Sequence, residues 1–91
     1  MKERIVLDKK FQREIFENLL SRFSRHEIAK ILGVNSSSIY HIKNGKIGSI
    51  GLLGFQKIAK MLEISDEVIK KNTIKIISSD EILKGLETGR K

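Results

Sequence analysis

The 91-residue chain lacks cysteine, proline and any long apolar run, and these absences exclude several classes of protein. Without cysteine there is no disulfide scaffold, no thiolate nucleophile and no cysteine-ligated zinc site. Without a long apolar run we expect neither a membrane span nor a secretory signal, so a cytoplasmic location is the default. The absence of proline is compatible with a helical protein.

Acidic residues are scarce, and they are unevenly distributed. The chain has 18 Lys and Arg against 11 Asp and Glu, a formal net charge of +7, and no acidic residue lies between Ile28 and Met61. Charges of both signs occur elsewhere along the chain, which is typical of a folded basic domain. A polyanion is therefore the expected partner. The length predicts a single domain over residues 1–91, too small for an elaborate active site.

Residues 24–45, SRHEIAKILGVNSSSIYHIKNG, have the pattern of two short helices joined at a glycine. Ser24 and Glu27 are spaced as a capping box, which predicts a helix start. Apolar residues at i, i+3 and i+4 then predict one buried face, and Gly33 suits the left-handed conformation that ends many helices. The pattern predicts a first helix over residues 25–32.

The second helix of the pair is predicted over residues 36–43. Val34 is expected to be a buried pivot before it, and Asn35 is expected to cap it. Its inward apolar residues are Ile39 and Ile42, so its outward face carries hydrogen-bonding residues and one aromatic ring. Two short helices joined in this way predict a helix-turn-helix.

The same stretch resembles the DNA-binding segment of the lambda-repressor-like (Cro-type) helix-turn-helix family. Asn44-Gly45 resembles the end of that family's recognition helix, and residues 56–69 resemble its fourth helix and the start of its fifth. The likeness covers about residues 9–71, although the link after Gly45 is glycine-rich where the family often has proline. The family's small, turn and core positions are matched by Ile28, Ala29, Leu32, Gly33, Val34, Ile39 and Ile42.

The resemblance and the apolar periodicity together predict an all-α fold, a compact domain of four to five helices. A first helix is predicted over residues 9–22 after the cap Asp8, and later helices over residues 52–62 and over 66–71 after the cap Ser65. Two β-branched runs, RIVL at 4–7 and TIKII at 73–77, are candidates for short terminal strands that pair within one chain or across a dimer. A last helix is predicted after the capping pattern at 78–81. The domain is thus an arm or strand at 1–8, a helix-turn-helix domain at 9–71 and an extension at 72–91 that is a candidate for dimerisation.

The residues expected to contact DNA lie on the second helix of the pair and at its edges, because an α-helix fits the major groove while flanking residues hold the backbone. Candidates for base contacts are Ser36, Ser37, Tyr40 and His41. Candidates for phosphate contacts are Arg25, Lys43, Asn44, Lys46 and Ser49.

Each of these assignments has a structural alternative. The serines are also suited to capping, and Tyr40 to packing as a half-buried ring between helices. The glycine-rich segment 45–54 is either a flexible loop packed against the second helix of the pair or a phosphate-gripping turn at a helix start. Arg13 and Arg22 are expected to be solvated surface residues that add only to the general field.

No catalytic, cofactor or metal site is predicted. His26-Glu27 resembles the start of a zinc-protease motif, but Lys30 stands where the second histidine is needed. The glycine-rich segment GKIGSIGLLG fits neither the phosphate-loop nor the dinucleotide pattern. We therefore expect no enzyme, no cofactor and no small-molecule ligand.

The expected function is that of a sequence-specific transcriptional regulator, in the first instance a repressor, that binds double-stranded DNA as a homodimer. Pairing is expected because a single motif contacts too few base pairs to be selective in a genome. Two alternatives stay open: the DNA-targeting domain of a recombinase, transposase or intron-associated protein, and a protein-interaction module that kept the fold. The retained Lys43 and Lys46 favour DNA binding over the last of these.

Overall fold

A computed structural model describes residues 3–78, which form five helices and one three-stranded antiparallel sheet. The fold is therefore mixed, and the all-α prediction is wrong. The C-terminal helix predicted after the capping pattern at 78–81 lies outside the described residues. In chain order the elements are β1 (Arg4–Leu7), α1 (Lys9–Arg22), α2 (Arg25–Leu32), α3 (Ser38–Lys43), β2 (Ile50–Gly51), α4 (Leu52–Met61), α5 (Asp66–Asn72) and β3 (Thr73–Ile77).

Three helices begin at side-chain caps that the sequence predicts. The Asp8 carboxylate accepts a hydrogen bond from the Phe11 N–H at 3.1 Å, and the Ser65 hydroxyl accepts one from Val68 at 3.3 Å. Ser24 and Glu27 form the full capping box, with bonds of 3.1 and 3.2 Å. The predicted bounds of α1 and α2 are confirmed to the residue, and those of α4 and α5 to within one residue.

The start of α3 differs from the prediction. Gly33 ends α2 in the left-handed conformation at φ +69°, as expected, but Val34 is 37% exposed and is not a buried pivot. Asn35 does not cap the helix: its carbonyl accepts from the Ser38 N–H at 2.9 Å, which closes a turn, and α3 begins only at Ser38. Backbone bonds between residues three apart, from Ser38 to Asn35 and from Ile39 to Ser36, form this turn in place of the first two predicted helical residues, and no side chain caps α3.

The sheet has the order β2-β1-β3, with both pairings antiparallel. Pairing of RIVL with TIKII is confirmed, and it occurs within one chain, with Ile5 opposite Ile76. Strand β2 was not predicted and lies in the glycine-rich segment, where Ile50 pairs with Ile5 on the other side of β1. Residues 50–54 of that segment are thus strand and helix start, and residues 45–49 form the loop between α3 and β2.

One core holds the sheet and helices together, and the pair α2–α3 contributes Ile28, Ala29, Ile39 and Ile42 to it. Helix α4 lies so close to α2 that an added Cβ at Gly54 would be 2.9 Å from the Leu32 Cδ2 atom and 3.1 Å from its Cα. The glycine there permits the close approach. None of the helices within residues 3–78 is long and apolar enough to cross a membrane.

Candidate nucleic-acid interface

The outward face of α3 is exposed and rich in hydrogen-bonding groups. Ile39 and Ile42 point into the core with 0% and 2% exposure, which fixes the opposite face toward solvent. Ser37 and His41 are exposed, and Tyr40 is 46% exposed. Ser36 is half-buried, and it precedes the helix, in the turn that leads into it. Three of the four predicted base-contacting side chains are thus accessible to a ligand.

Arg25 and Tyr40 connect the start of α2 to the face of α3. The guanidinium carbon of Arg25 lies 5.7 Å from the centre of the Tyr40 ring, a cation–π contact between two exposed side chains. The ring is 46% exposed, so one part of it faces solvent beside Arg25. The contact brings a predicted phosphate ligand beside a predicted base-contacting residue.

The end of α3 is a tight turn held by backbone hydrogen bonds. The carbonyl of His41 accepts from the N–H of Lys46 at 2.9 Å and from that of Ile47 at 3.3 Å, and Gly45 takes φ +79°. Asn44 and Lys46 are exposed and Lys43 is half-buried. These three predicted phosphate ligands therefore cluster at one fixed point, directly after the residues that face solvent on α3.

Ser49 already has polar partners within the sheet region. Its hydroxyl accepts a hydrogen bond from the Arg4 Nε at 2.8 Å, and its carbonyl accepts one from the same guanidinium at 2.9 Å. These bonds tie β1 to the segment that precedes β2. The geometry gives Ser49 a clear structural role in the sheet.

Gln12 anchors the end of α3, and sequence analysis missed it. Its side chain is 2% exposed, and its amide nitrogen donates to the carbonyl of Ile42 at 2.7 Å and to that of Ile47 at 3.2 Å. One buried amide thus holds the last turn of α3 and the following loop against α1. The sequence does contain a signal for the burial of Gln12. It lies three residues before Ile15 and four before Phe16, within the apolar stripe that must be buried.

A cationic cleft of about 310 Å³ lies between the start of α1 and the end of α3. Within residues 3–78, none of its four cations has a carboxylate partner at ion-pair distance. Arg13 is exposed, as we expected of a solvated surface residue, and it also lines this cleft. The lining residues are Lys9, Lys10, Arg13, Lys43, Asn44 and Gly45.

The described residues contain no group of three or more His, Cys, Asp or Glu side chains arranged to hold a metal ion. His26 is exposed in the first turn of α2. Every buried side-chain nitrogen or oxygen atom within residues 3–78 has a hydrogen-bond partner. The outward face of α3 and the cations beside it therefore offer hydrogen bonding and positive charge.

Comparisons of this chain with models of protein families, with curated proteins and with solved structures found no match.

Proposed function

We propose that the protein is a sequence-specific DNA-binding transcriptional regulator, a repressor of the lambda-repressor-like helix-turn-helix type, and that α3 enters the major groove. The observation that carries the proposal is the solvent-facing side of α3. It presents hydroxyl, imidazole and phenol groups and is bordered by the cations Arg25, Lys43 and Lys46. An acid-free stretch from Ile28 to Met61 surrounds it, so no carboxylate of that stretch repels a phosphate backbone.

The dimensions of α3 suit this role. An α-helix with its side chains is about 10–12 Å across, which fits a major groove about 12 Å wide, and the six residues of α3 extend about 9 Å along that groove. Ser37 and His41 then contact base edges, with Tyr40 at the edge of the same face and Ser36 in the turn before it. Serine hydroxyls donate or accept, so the preference at their positions is expected to be loose, and a histidine nitrogen is the sharper contact.

The phosphate contacts fix the register of α3 in the groove. Arg25 is held over Tyr40, and Lys43, Asn44 and Lys46 follow the helix on a turn with fixed backbone geometry. Contacts of this kind supply most of the affinity and most of its salt dependence, but little of the sequence preference.

We place the second copy of the homodimer against β3. This strand is an edge of the sheet, so one side of its backbone has no partner strand among residues 3–78. It also exposes two large apolar side chains, Ile74 at 65% and Ile76 at 45%. An exposed apolar edge strand is a template for pairing with another chain, and a two-fold axis there joins two identical strands in antiparallel fashion.

The proposal is tested by selection of binding sites from a pool of randomised duplexes at two salt concentrations, with the oligomeric state measured in the same buffers. We expect an inverted repeat with half-sites about one helical turn apart. Salt-sensitive binding that enriches no sequence would contradict the proposal of a regulator. It would support a DNA-targeting domain that binds DNA by electrostatic attraction alone. An absence of duplex binding would leave the protein-interaction module as the function of this fold.

Single variants then separate base contacts from phosphate contacts. His41→Ala or Ser37→Ala is expected to weaken the selected site by about 1–3 kcal/mol and random DNA hardly at all. Lys46→Ala is the matched control, because it is expected to weaken both DNAs alike and to flatten the salt dependence by about one unit. If His41→Ala weakens both DNAs equally, His41 does not contact a base.

A further inference from the structure

We propose that the cationic cleft between α1 and α3 is a binding site for a phosphate group of the DNA backbone, and that Lys10 and Arg13 of α1 belong to the DNA-binding surface. The inference rests on the proposed function and extends it to a helix that sequence analysis left outside the interface. It assigns a ligand class, a phosphodiester, to a site built from two elements.

The charge of the cleft is the first argument. Lys9, Lys10 and Arg13 of α1 converge with Lys43 of α3, and none of them has a carboxylate partner within residues 3–78. Like charges that share a surface repel one another, and Lys10 and Arg13 are also i, i+3 neighbours on one helix. Among residues 3–78, nothing but solvent and loosely held counterions compensates this cluster, and a polyanion displaces those counterions with a gain in entropy.

The donor set is the second argument. Ammonium groups, a guanidinium fork and the side-chain amide of Asn44 together offer many N–H donors. A ligand that matches them is compact, anionic and rich in acceptor oxygens, as a phosphate is. The four cations far outnumber the one side-chain acceptor of the cleft, the amide oxygen of Asn44.

The position and rigidity of the cleft connect it to the DNA surface. Lys43 and Asn44 follow Tyr40 and His41 by a few residues, so a strand whose bases meet α3 has phosphates within reach of the cleft. The floor is fixed before any ligand binds, because Gln12 holds the carbonyls on both sides of Asn44 and Gly45. A site formed in advance loses little conformational freedom on binding.

Gly45 adds to the shape of the cleft. Its φ of +79° turns the chain sharply after α3, and an added Cβ would lie 3.5 Å from the Cδ atom of Lys9. The aliphatic part of Lys9 therefore passes directly over the glycine. This packing brings the start of α1 next to the end of α3, which is what places charges from both helices in one cleft.

The test compares two double variants that remove the same charge from different helices. Lys10→Gln with Arg13→Gln changes the cleft, and Lys57→Gln with Lys60→Gln changes α4. Each pair is spaced i, i+3 on a helix, each side chain is exposed, and each variant lowers the net charge of the full chain by two. Affinity for duplex DNA is measured by fluorescence anisotropy over a series of KCl concentrations, and thermal unfolding is recorded for all three proteins.

The cleft variant is expected to flatten the slope of log affinity against log salt by about 1.8, which is two phosphate contacts at about 0.9 each. Over a fourfold rise in salt, the wild type then loses about tenfold more affinity than the cleft variant. The α4 variant keeps the wild-type slope, because it changes the general field and not a contact. Ethylation of the DNA phosphates that the cleft contacts is expected to weaken binding of the wild-type protein. Ethylation of the same phosphates is expected to leave binding of the cleft variant unchanged.

The possible results separate this inference from the function on which it rests. If the wild type binds no duplex DNA, the proposed function fails. If it binds and the two double variants share one slope, only the cleft assignment is overturned. A cleft variant with lowered thermal stability and an unaltered slope would mean that the cations make stabilising contacts within the chain, and it would overturn the cleft assignment. Inorganic phosphate is titrated into the wild type with NMR detection. Saturable binding of phosphate at the cleft, together with equal salt slopes for the two double variants, would assign the site to a free anion. That result would overturn the DNA-backbone assignment.

Discussion

Replacing Gln12 by Met tests whether the buried amide holds α3 in place. Methionine is unbranched and of similar length, so the change removes the donor while it nearly preserves the volume in the core. Gln12 is 2% exposed. Its two hydrogen bonds, at 2.7 and 3.2 Å, join α1 to Ile42 near the end of α3 and to Ile47 in the loop beyond it. We expect a large loss of stability from a single polar-to-apolar change in the core.

The magnitude follows from the two carbonyl groups that lose a donor. Each lost hydrogen bond costs about 0.5–1.5 kcal/mol. The carbonyl of Ile42 retains the Gly45 N–H at 3.1 Å, so its loss is partial. The carbonyl of Ile47 accepts only from Gln12 among the described residues, and an unsatisfied group that is shielded from water costs about 1–3 kcal/mol. The sum is about 2–4 kcal/mol, which outweighs the small apolar gain of a thioether.

The assay is urea unfolding followed by circular dichroism, supported by thermal unfolding. For a domain of this size a loss of 2–4 kcal/mol lowers the Tm by about 8–30 °C. Gln56→Met is the matched control, because it makes the same chemical change at an exposed position of α4. It is expected to change the free energy of unfolding by less than about 0.5 kcal/mol.

Equal stability of the Gln12→Met protein and the wild type would refute this reasoning. It would mean that the two carbonyls find water or another donor, and that Gln12 does not determine the position of α3. A third result, stability lost without any loss of DNA binding at low temperature, would separate the two roles. Gln12 would then contribute to folding, while the α3 surface forms correctly without it.

Three further changes test other parts of the fold. Gly54→Ala is expected to cost about 1–3 kcal/mol in urea unfolding despite the higher helix propensity of alanine, because the new Cβ meets the backbone of Leu32; a stabilised variant would contradict that close approach. Ser24→Ala is expected to cost about 1 kcal/mol by removing the cap of α2. An unchanged midpoint of urea unfolding would mean that the capping box does not stabilise the fold. Ile74→Lys, at a position that is 65% exposed, is expected to convert the proposed dimer to a monomer in sedimentation at an unchanged monomer fold. A dimer that persists would place the interface elsewhere.

The helix bounds were predictable because their causes are local. Asp8, Ser24 and Ser65 each accept a hydrogen bond from a residue three positions later, so the sequence near the cap contains both partners. The sheet was not predictable in the same way. Strand β2 has only two residues, and the bonds that tie its neighbourhood to β1 join positions 45 residues apart. Periodicity has no meaning over two residues, and glycines on both sides of Ile50 indicated a loop.

The start of α3 was mispredicted because two local rules conflict there. Asn35 is a favourable residue type for a helix cap, which predicts a helix from Ser36, while serine is also common in turns outside helices. The structure takes the second option, with bonds from Ser38 to Asn35 and from Ile39 to Ser36. Val34 is then carried outward to 37% exposure. The buried positions of α3, Ile39 and Ile42, were still predicted correctly, because a 3.6-residue period is insensitive to where a helix begins.

The outward face of α3 was predictable and the cleft was not, and the difference lies in the number of elements that each requires. A helix face follows from one periodic stretch, whereas the cleft needs α1 and α3 to pack in a known register. Gln12 contributes to that register together with the apolar core, because its amide reaches a carbonyl 30 positions away. The same contact that holds α3 against the core therefore gathers Lys10, Arg13 and Lys43 into one cleft. Electrostatic repulsion among them opposes this packing, and DNA that neutralises them is expected to stabilise the fold at the contact that a Gln12→Met change weakens.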